Sequence, residues 1–164
     1  MKFSPKVIAG TTALVVSAAV ALPALGGEQT EGQQITPAGT QRATAGSSDF
    51  FTGHVQVEPV WPANRHINAS GGIVTFEPSA RSAWHTHPAG QRLVVLSGVG
   101  LTQEWGKAVQ EIRAGDVVWC PPGVKHWHGA SQDAPMTHLA VTGSVEGRNV
   151  TWMEKVSDAQ YHAR

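Results

Sequence analysis

From Phe50 onward the chain breaks into short apolar or alternating runs, closed at regular spacing by turn residues. The separators read "EPSA", "LSGVG", "WGK", "RAGD", "CPPGV" and "SQDAP". Glycine and proline in this rhythm leave no room for long helices and favour many short strands. Strands are expected near His54–Val57, Ile73–Phe76, Arg81–His87, Leu93–Leu96 and Gly100–Trp105. Further ones are expected near Ala108–Ile112, Val117–Trp119, Lys125–Ala130, Met136–Thr142 and Asn149–Glu154. About ten such strands predict an all-β sandwich or barrel. Only the final "SDAQYHAR" suits a helix, with Ser157 as its N-cap.

The segment ahead of Phe50 has a different character. Lys2 and Lys6 precede an uncharged stretch, Val7 to Leu25, rich in Ala, Val and Leu. Ala-Leu-Gly at 24–26 resembles a signal-peptidase site, and Ala-Val-Ala at 19–21 is a second option. Residues 1–26 therefore read as a cleaved export signal, which places the mature protein in the periplasm or outside the cell. The alternative is an uncleaved anchor, weakened by Thr11, Thr12, Ser17 and Pro23. Residues 27–48 are mostly Gly, Gln, Thr, Ala and Ser, with one Ile and no aromatic. That composition reads as a flexible linker. A single domain over 49–164 remains.

The formal charge is zero at neutral pH, and no basic stripe interleaved with aromatics occurs. Nucleic acid is not an expected partner. No P-loop, dinucleotide fingerprint, nucleophile elbow or zinc-finger spacing is present. The one cysteine, Cys120, cannot form an internal disulfide and reads as a small buried hydrophobe.

The chemistry concentrates in histidine. Of the eight in the chain, five are His85, His87, His126, His128 and His138. On a strand, residues two apart face the same way. His85 and His87 thus project together, as do His126 and His128. His138 shares a face with Met136, Ala140 and Thr142. If these strands line one barrel, the imidazoles converge. Imidazole suits divalent transition metals, and an amide oxygen such as that of Gln91 can complete the set. His85, His87 and His126 are the expected ligands, with Gln91 the fourth. His128 is expected to orient its neighbours, and His138 to be a base or a satisfied core residue. Val74, Phe76, Ala140 and Thr142 are expected to wall the pocket. Trp84, Trp119 and Trp127 alternate away from the histidines and belong on the opposite face. A neutral ligand set leaves the ion's charge uncompensated and favours substrates that develop negative charge.

Two stretches carry a resemblance. "SARSAWHTHPAGQRLVVLSG" resembles the first cupin motif, in which a glycine, His-x-His, a glutamate and a glycine recur at fixed spacing. Ser79 stands at its first glycine, Gln91 at its glutamate and Gly98 at its close. "GDVVWCPPGVKHWHGA" resembles the second motif through Gly115, Pro121, Gly123 and His126, with Ala130 at its asparagine. Over most of 49–161 the chain is similar to small bacterial cupins that act as (R)-selective hydroxynitrile lyases. The resemblance implies a double-stranded β-helix, or jelly-roll barrel, with a short C-terminal helix. It implies Mn(II), with Fe(II), Ni(II), Zn(II) or Cu(II) as alternatives, on His85, His87, Gln91 and His126. It also implies proton transfer by His138, a cyanohydrin such as (R)-mandelonitrile as small-molecule substrate, and a homo-oligomer, dimer or tetramer. A metal-dependent oxygenase and a non-catalytic ligand-binding cupin are the competing expectations.

Overall fold

The computed structural model describes residues 32–163. The expected export signal, and the first residues of the expected linker, lie outside the described residues. Thr36 to the C-terminus forms one compact unit. Among the described residues, no helix is long and apolar enough to cross a membrane.

Among the described residues, twelve strands and one helical turn make up the fold. They are β1 (Thr44–Ala45), β2 (Phe51–Thr52), β3 (Val55–Trp61), β4 (Ala69–Phe76), β5 (Arg81–Ser82) and β6 (His85–Thr86). Then follow β7 (Gln91–Glu104), β8 (Gln110–Arg113), β9 (Val117–Cys120), β10 (His126–Ala130), β11 (Met136–Gly143), β12 (Thr151–Trp152) and α1 (Asp158–Tyr161). Every pairing is antiparallel. A first sheet runs β1-β3-β4-β11-β7-β9, and a second joins β8, β7, β10, β5, β2, β6 and β12. The two curl into a single-domain jelly-roll barrel.

The 14-residue β7 belongs to both sheets. Gln91 to Gly98 pair with β11, and Gly100 to Glu104 pair with β10. The sequence predicts two strands with a turn at "LSGVG"; the chain instead bends once and continues. The physical reason is a close approach. A Cβ on Gly98 would sit 1.9 Å from the Pro135 carbonyl oxygen, and one on Gly100 would meet Gly129 and Met136. These glycines are selected for contact across the barrel corner, where strands switch sheets.

The expected strand 81–87 is likewise two pieces. Ala83 N–H donates to Phe50 and Trp84 N–H to Glu154, so the intervening backbone pairs with other segments. The linker also departs from expectation at its end. Thr44 and Ala45 pair with Val57 and Gln56 of β3 as an edge strand. Backbone hydrogen bonds suffice for that, so the lack of apolar side chains gave no warning.

Alternation along β11 is strict: Met136, His138, Ala140 and Thr142 are buried and the residues between are half-buried. The barrel core holds Val55, Val74, Phe76, Ala80, Val95, Ile112, Ala130 and Met136. A second cluster, Trp84, Leu101, Trp127, Val156 and Tyr161, packs on the far side of the second sheet. Trp84 and Trp127 thus take the face away from the histidines, as their alternation requires, while Trp119 is left largely exposed. The C-terminal segment covers the second cluster. Buried Arg81 fastens it, donating from Nε and Nη2 to the Val156 carbonyl and pairing with Asp158 at 2.5 Å. The same guanidinium lies 4.7 Å from the Tyr161 ring, whose hydroxyl donates to the Ala130 carbonyl. Ser157 caps α1 with Gln160 in a capping box.

Candidate metal centre

Strand pairing brings the two histidine pairs together. β6 and β10 run antiparallel with His85 opposite His126. Their ring centroids are 4.3 Å apart, and His87 lies 5.0 Å from His85 and 5.4 Å from His126. His85, His87, Gln91, His126, His128 and His138 are all buried.

Backbone carbonyls fix the imidazole tautomers. Nδ1 of His85 faces the Ala83 carbonyl at 2.9 Å, Nδ1 of His126 the Val124 carbonyl at 2.9 Å, and Nδ1 of His87 the Asn149 carbonyl at 2.5 Å. A carbonyl only accepts, so each Nδ1 carries the proton and each Nε2 keeps its lone pair. The Gln91 amide is oriented too: its Nε2 donates to Thr142 Oγ1 at 3.0 Å. That leaves Oε1 as the free acceptor.

Three of these acceptors, His87 Nε2, His126 Nε2 and Gln91 Oε1, are buried without a hydrogen-bond partner. Unpaired buried acceptors are costly unless something neutralises them. Lone pairs without protons, held by outer hydrogen bonds, are the donor set a divalent transition ion requires. The residues therefore fit such an ion. A second grouping overlaps the first: ligand atoms of His85, His126 and His128 lie within 4.8 Å of one another. His85 and His126 are common to both.

His128 and His138 form a buried pair, with His138 Nε2 3.1 Å from His128 Nδ1. His138 Nδ1 is buried and unpartnered. Phe76 touches both rings, at 5.7 Å from His128 and 5.6 Å from His138. Val74 is paired across the sheet with His138, and Ala140 stands between His138 and Thr142 on the same face. The four expected wall residues are thus placed around the histidines. Thr142 has the added task of orienting Gln91.

Trp152 is a neighbour that sequence reasoning missed. It is paired with His85 across β12 and β6, its ring 4.8 Å from the imidazole and stacked on Phe50 at 4.8 Å. The carbonyls of Ala83, Val124 and Asn149 were missed as well. No side-chain pattern announces a backbone acceptor.

Burial is the main force on the histidine pKa values. It drives His85 and His128 well below the ordinary value, with repulsion from neighbouring imidazoles adding to it. His87 is lowered, His126 falls to about 4 and His138 to about 3. Each is neutral at pH 7. Burial also lifts the Cys120 thiol to about 12, which leaves it unreactive.

The unfolded chain binds protons near pH 6.5, whereas the folded chain resists until far lower. Stability is therefore full above about pH 6.5 and is lost as pH falls toward 4. The urea midpoint of metal-free protein should drop across that window, the unfolding free energy falling by more than about 1.4 kcal/mol per pH unit because several histidines titrate together. A flat midpoint from pH 7 to 4 would contradict the neutral cluster.

A curled antiparallel barrel with histidines from both sheets converging in its interior defines a cupin, and this chain belongs to the cupin family. The Cupin domain model matches residues 72–142. The (R)-mandelonitrile lyase of Granulicella tundricola is 50% identical over 128 residues, covering 78% of this chain and 98% of that protein. A cupin-like protein of Thermotoga maritima superposes with a TM-score of 0.69 at 41% identity, over 73% of this chain and 91% of that one. A cupin 2 conserved barrel domain protein of Rhodopseudomonas palustris shares the fold, with a TM-score of 0.58 at 16% identity over 67% and 76% of the chains.

Proposed function

We propose that the chain is an exported, metal-dependent hydroxynitrile lyase that cleaves or forms cyanohydrins such as (R)-mandelonitrile. The observation that carries this reading is the set of inward acceptors beside a neutral, buried imidazole pair. The 50% identity to an (R)-mandelonitrile lyase supports the same reaction. The proposed ligands are His85, His87, Gln91 and His126, and the proposed ion is Mn(II). His87 and Gln91 are preferred over His128 because His87 Nε2 and Gln91 Oε1 are buried without a partner, and because Nδ1 of His128 faces His138 rather than a backbone carbonyl that would fix its tautomer.

A divalent ion bound there supplies a Lewis acid to the substrate. The rest of the work falls to the chain. The cyanohydrin lies against Val74, Phe76 and Ala140, which exclude water. His138 accepts the hydroxyl proton as general base, with His128 holding its ring. The bond between the carbinol carbon and the nitrile carbon breaks, the oxygen becomes the aldehyde carbonyl, and cyanide leaves with the bonding pair. Burial makes His138 a weak base. The cyanide formed in the same step is the counter-charge to its imidazolium. Gln91 adds no carboxylate to the site, so it offers no acid for oxygen chemistry.

His138→Ala tests the assignment. Turnover of mandelonitrile should fall by about 10²–10⁴-fold, while bound metal stays at the wild-type level. Parallel loss of metal and turnover would make His138 a ligand or a packing residue instead.

A further inference from the structure

The register of the second sheet sets four residues of the histidine face in one row. Directly paired strand residues share a face. Glu104 on β7 is opposite His126 on β10, His126 is opposite His85 on β6, and His85 is opposite Trp152 on β12. The neighbouring row points the other way. There Trp127 Nε1 donates to Gln103 Oε1 at 2.8 Å, and Trp127 and Leu101 belong to the second cluster. Glu104 therefore carries its carboxylate on the histidine side, one strand from His126. Its side chain is 40% exposed, which places it at the rim of the barrel. Its ion-pair partner is Lys107, 2.8 Å away across the turn that follows β7 and itself 62% exposed.

The charge is felt on both sheets. Burial is the first influence on the pKa values of His126 and Cys120, and the Glu104 carboxylate raises both. Cys120 is opposite Gln91 on the first sheet. Among the described residues, no other carboxylate acts on the five buried imidazoles.

We propose that Glu104 is a specificity-determining residue whose rim carboxylate keeps anions out of the site, so that the substrates admitted are uncharged. This rests on the metal reading above. Three imidazoles and an amide leave the charge of a divalent ion uncompensated, and a concave site of that kind concentrates anions. Small anions, and any carboxylate analogue of a cyanohydrin, would be held there. One fixed negative charge at the rim opposes their entry, while a neutral cyanohydrin feels little of it. Lys107 offsets that charge only in part, because an exposed pair is weakened by water. Glu104 thus supplies the counter-charge that Gln91 does not, without being one of the proposed ligands.

The test measures anion binding apart from turnover. Mandelate has the outline of mandelonitrile with a carboxylate in place of the nitrile, and azide is a small anion without that outline. Their Kd values on Mn(II)-loaded full chain are read from the water-proton relaxation rate. The Mn(II) Kd of the metal-free protein is read from the free-ion EPR signal. Glu104→Gln should tighten both anions by about 3- to 10-fold at low salt. The gain should shrink toward nothing in about 0.5 M salt. Glu104→Asp should stay within about twofold of wild type. Lys107→Met, which leaves the carboxylate unpaired, should weaken both anions about twofold. Mn(II) should still bind Glu104→Gln, its Kd raised by no more than about tenfold. A gain that survives high salt would overturn the proposal, as would loss of Mn(II) from Glu104→Gln, which would make Glu104 a ligand. A wild type that takes up no Mn(II) defeats the metal reading and this proposal with it. Mn(II)-loaded protein whose anion Kd values are unmoved by Glu104→Gln defeats this proposal alone.

Discussion

His126→Ala is expected to strip the protein of its metal and abolish cyanohydrin cleavage without unfolding it. His126 is central to both groupings of ligand atoms, being opposite His85 on the paired strand and part of the overlapping triad. Its Nε2 is buried and unpartnered, with the proton fixed on the other nitrogen by the Val124 carbonyl. Loss of an outer hydrogen-bond partner typically costs about 10–100-fold in metal affinity. Loss of a ligand shared by every arrangement should exceed that, with bound metal below about a tenth of an equivalent and turnover down about 10³-fold. Stability of the metal-free form should change by no more than about 1–2 kcal/mol, since the substitution also removes a buried polar atom that lacked a partner. Wild-type metal content in His126→Ala would show that the ion sits elsewhere.

Gly98→Ala is expected to destabilise the fold severely. Gly98 has φ +79°, and its missing Cβ would fall 1.9 Å from Pro135 O, 2.8 Å from Pro135 C and 3.1 Å from Met136 Cα. All three are backbone atoms, so no side chain can turn aside. The corner joins β7 to β11 at the register shift just above His138. A cost above about 3 kcal/mol is expected, a large share of a domain's usual 5–15 kcal/mol. Gly106→Ala is the control. Gly106 has φ +80° but nothing within 4 Å of its Cβ position, so only the backbone penalty of about 1 kcal/mol applies. Urea unfolding of the pair separates contact from conformation; equal midpoints would remove the contact argument.

Residue spacing made the strands and the histidine faces legible because side chains on a strand repeat every two positions. His85 with His87, His126 with His128, and the buried series Met136, His138, Ala140, Thr142 all follow from that period. Ser79, at the first motif's glycine, shows why that position favours glycine: its φ is +66°. What spacing could not convey is how glycine is used. In "LSGVG" it permits close approach rather than a turn, so one strand reads as two. Nor could it reveal partners far along the chain. The Asn149 carbonyl on His87 and Trp152 against His85 depend on the tail folding back over β6. The edge strand at Thr44–Ala45 rests on backbone bonds alone.

The most direct measurement is elemental analysis of purified protein, followed by mandelonitrile cleavage before chelation, after chelation and after Mn(II) is restored. About one divalent ion per chain is expected. Chelated protein should stay folded at pH 7.5 and release neither benzaldehyde nor cyanide, and Mn(II) should restore both products in equal amounts. Undiminished cleavage by protein shown to be free of metal would contradict the account.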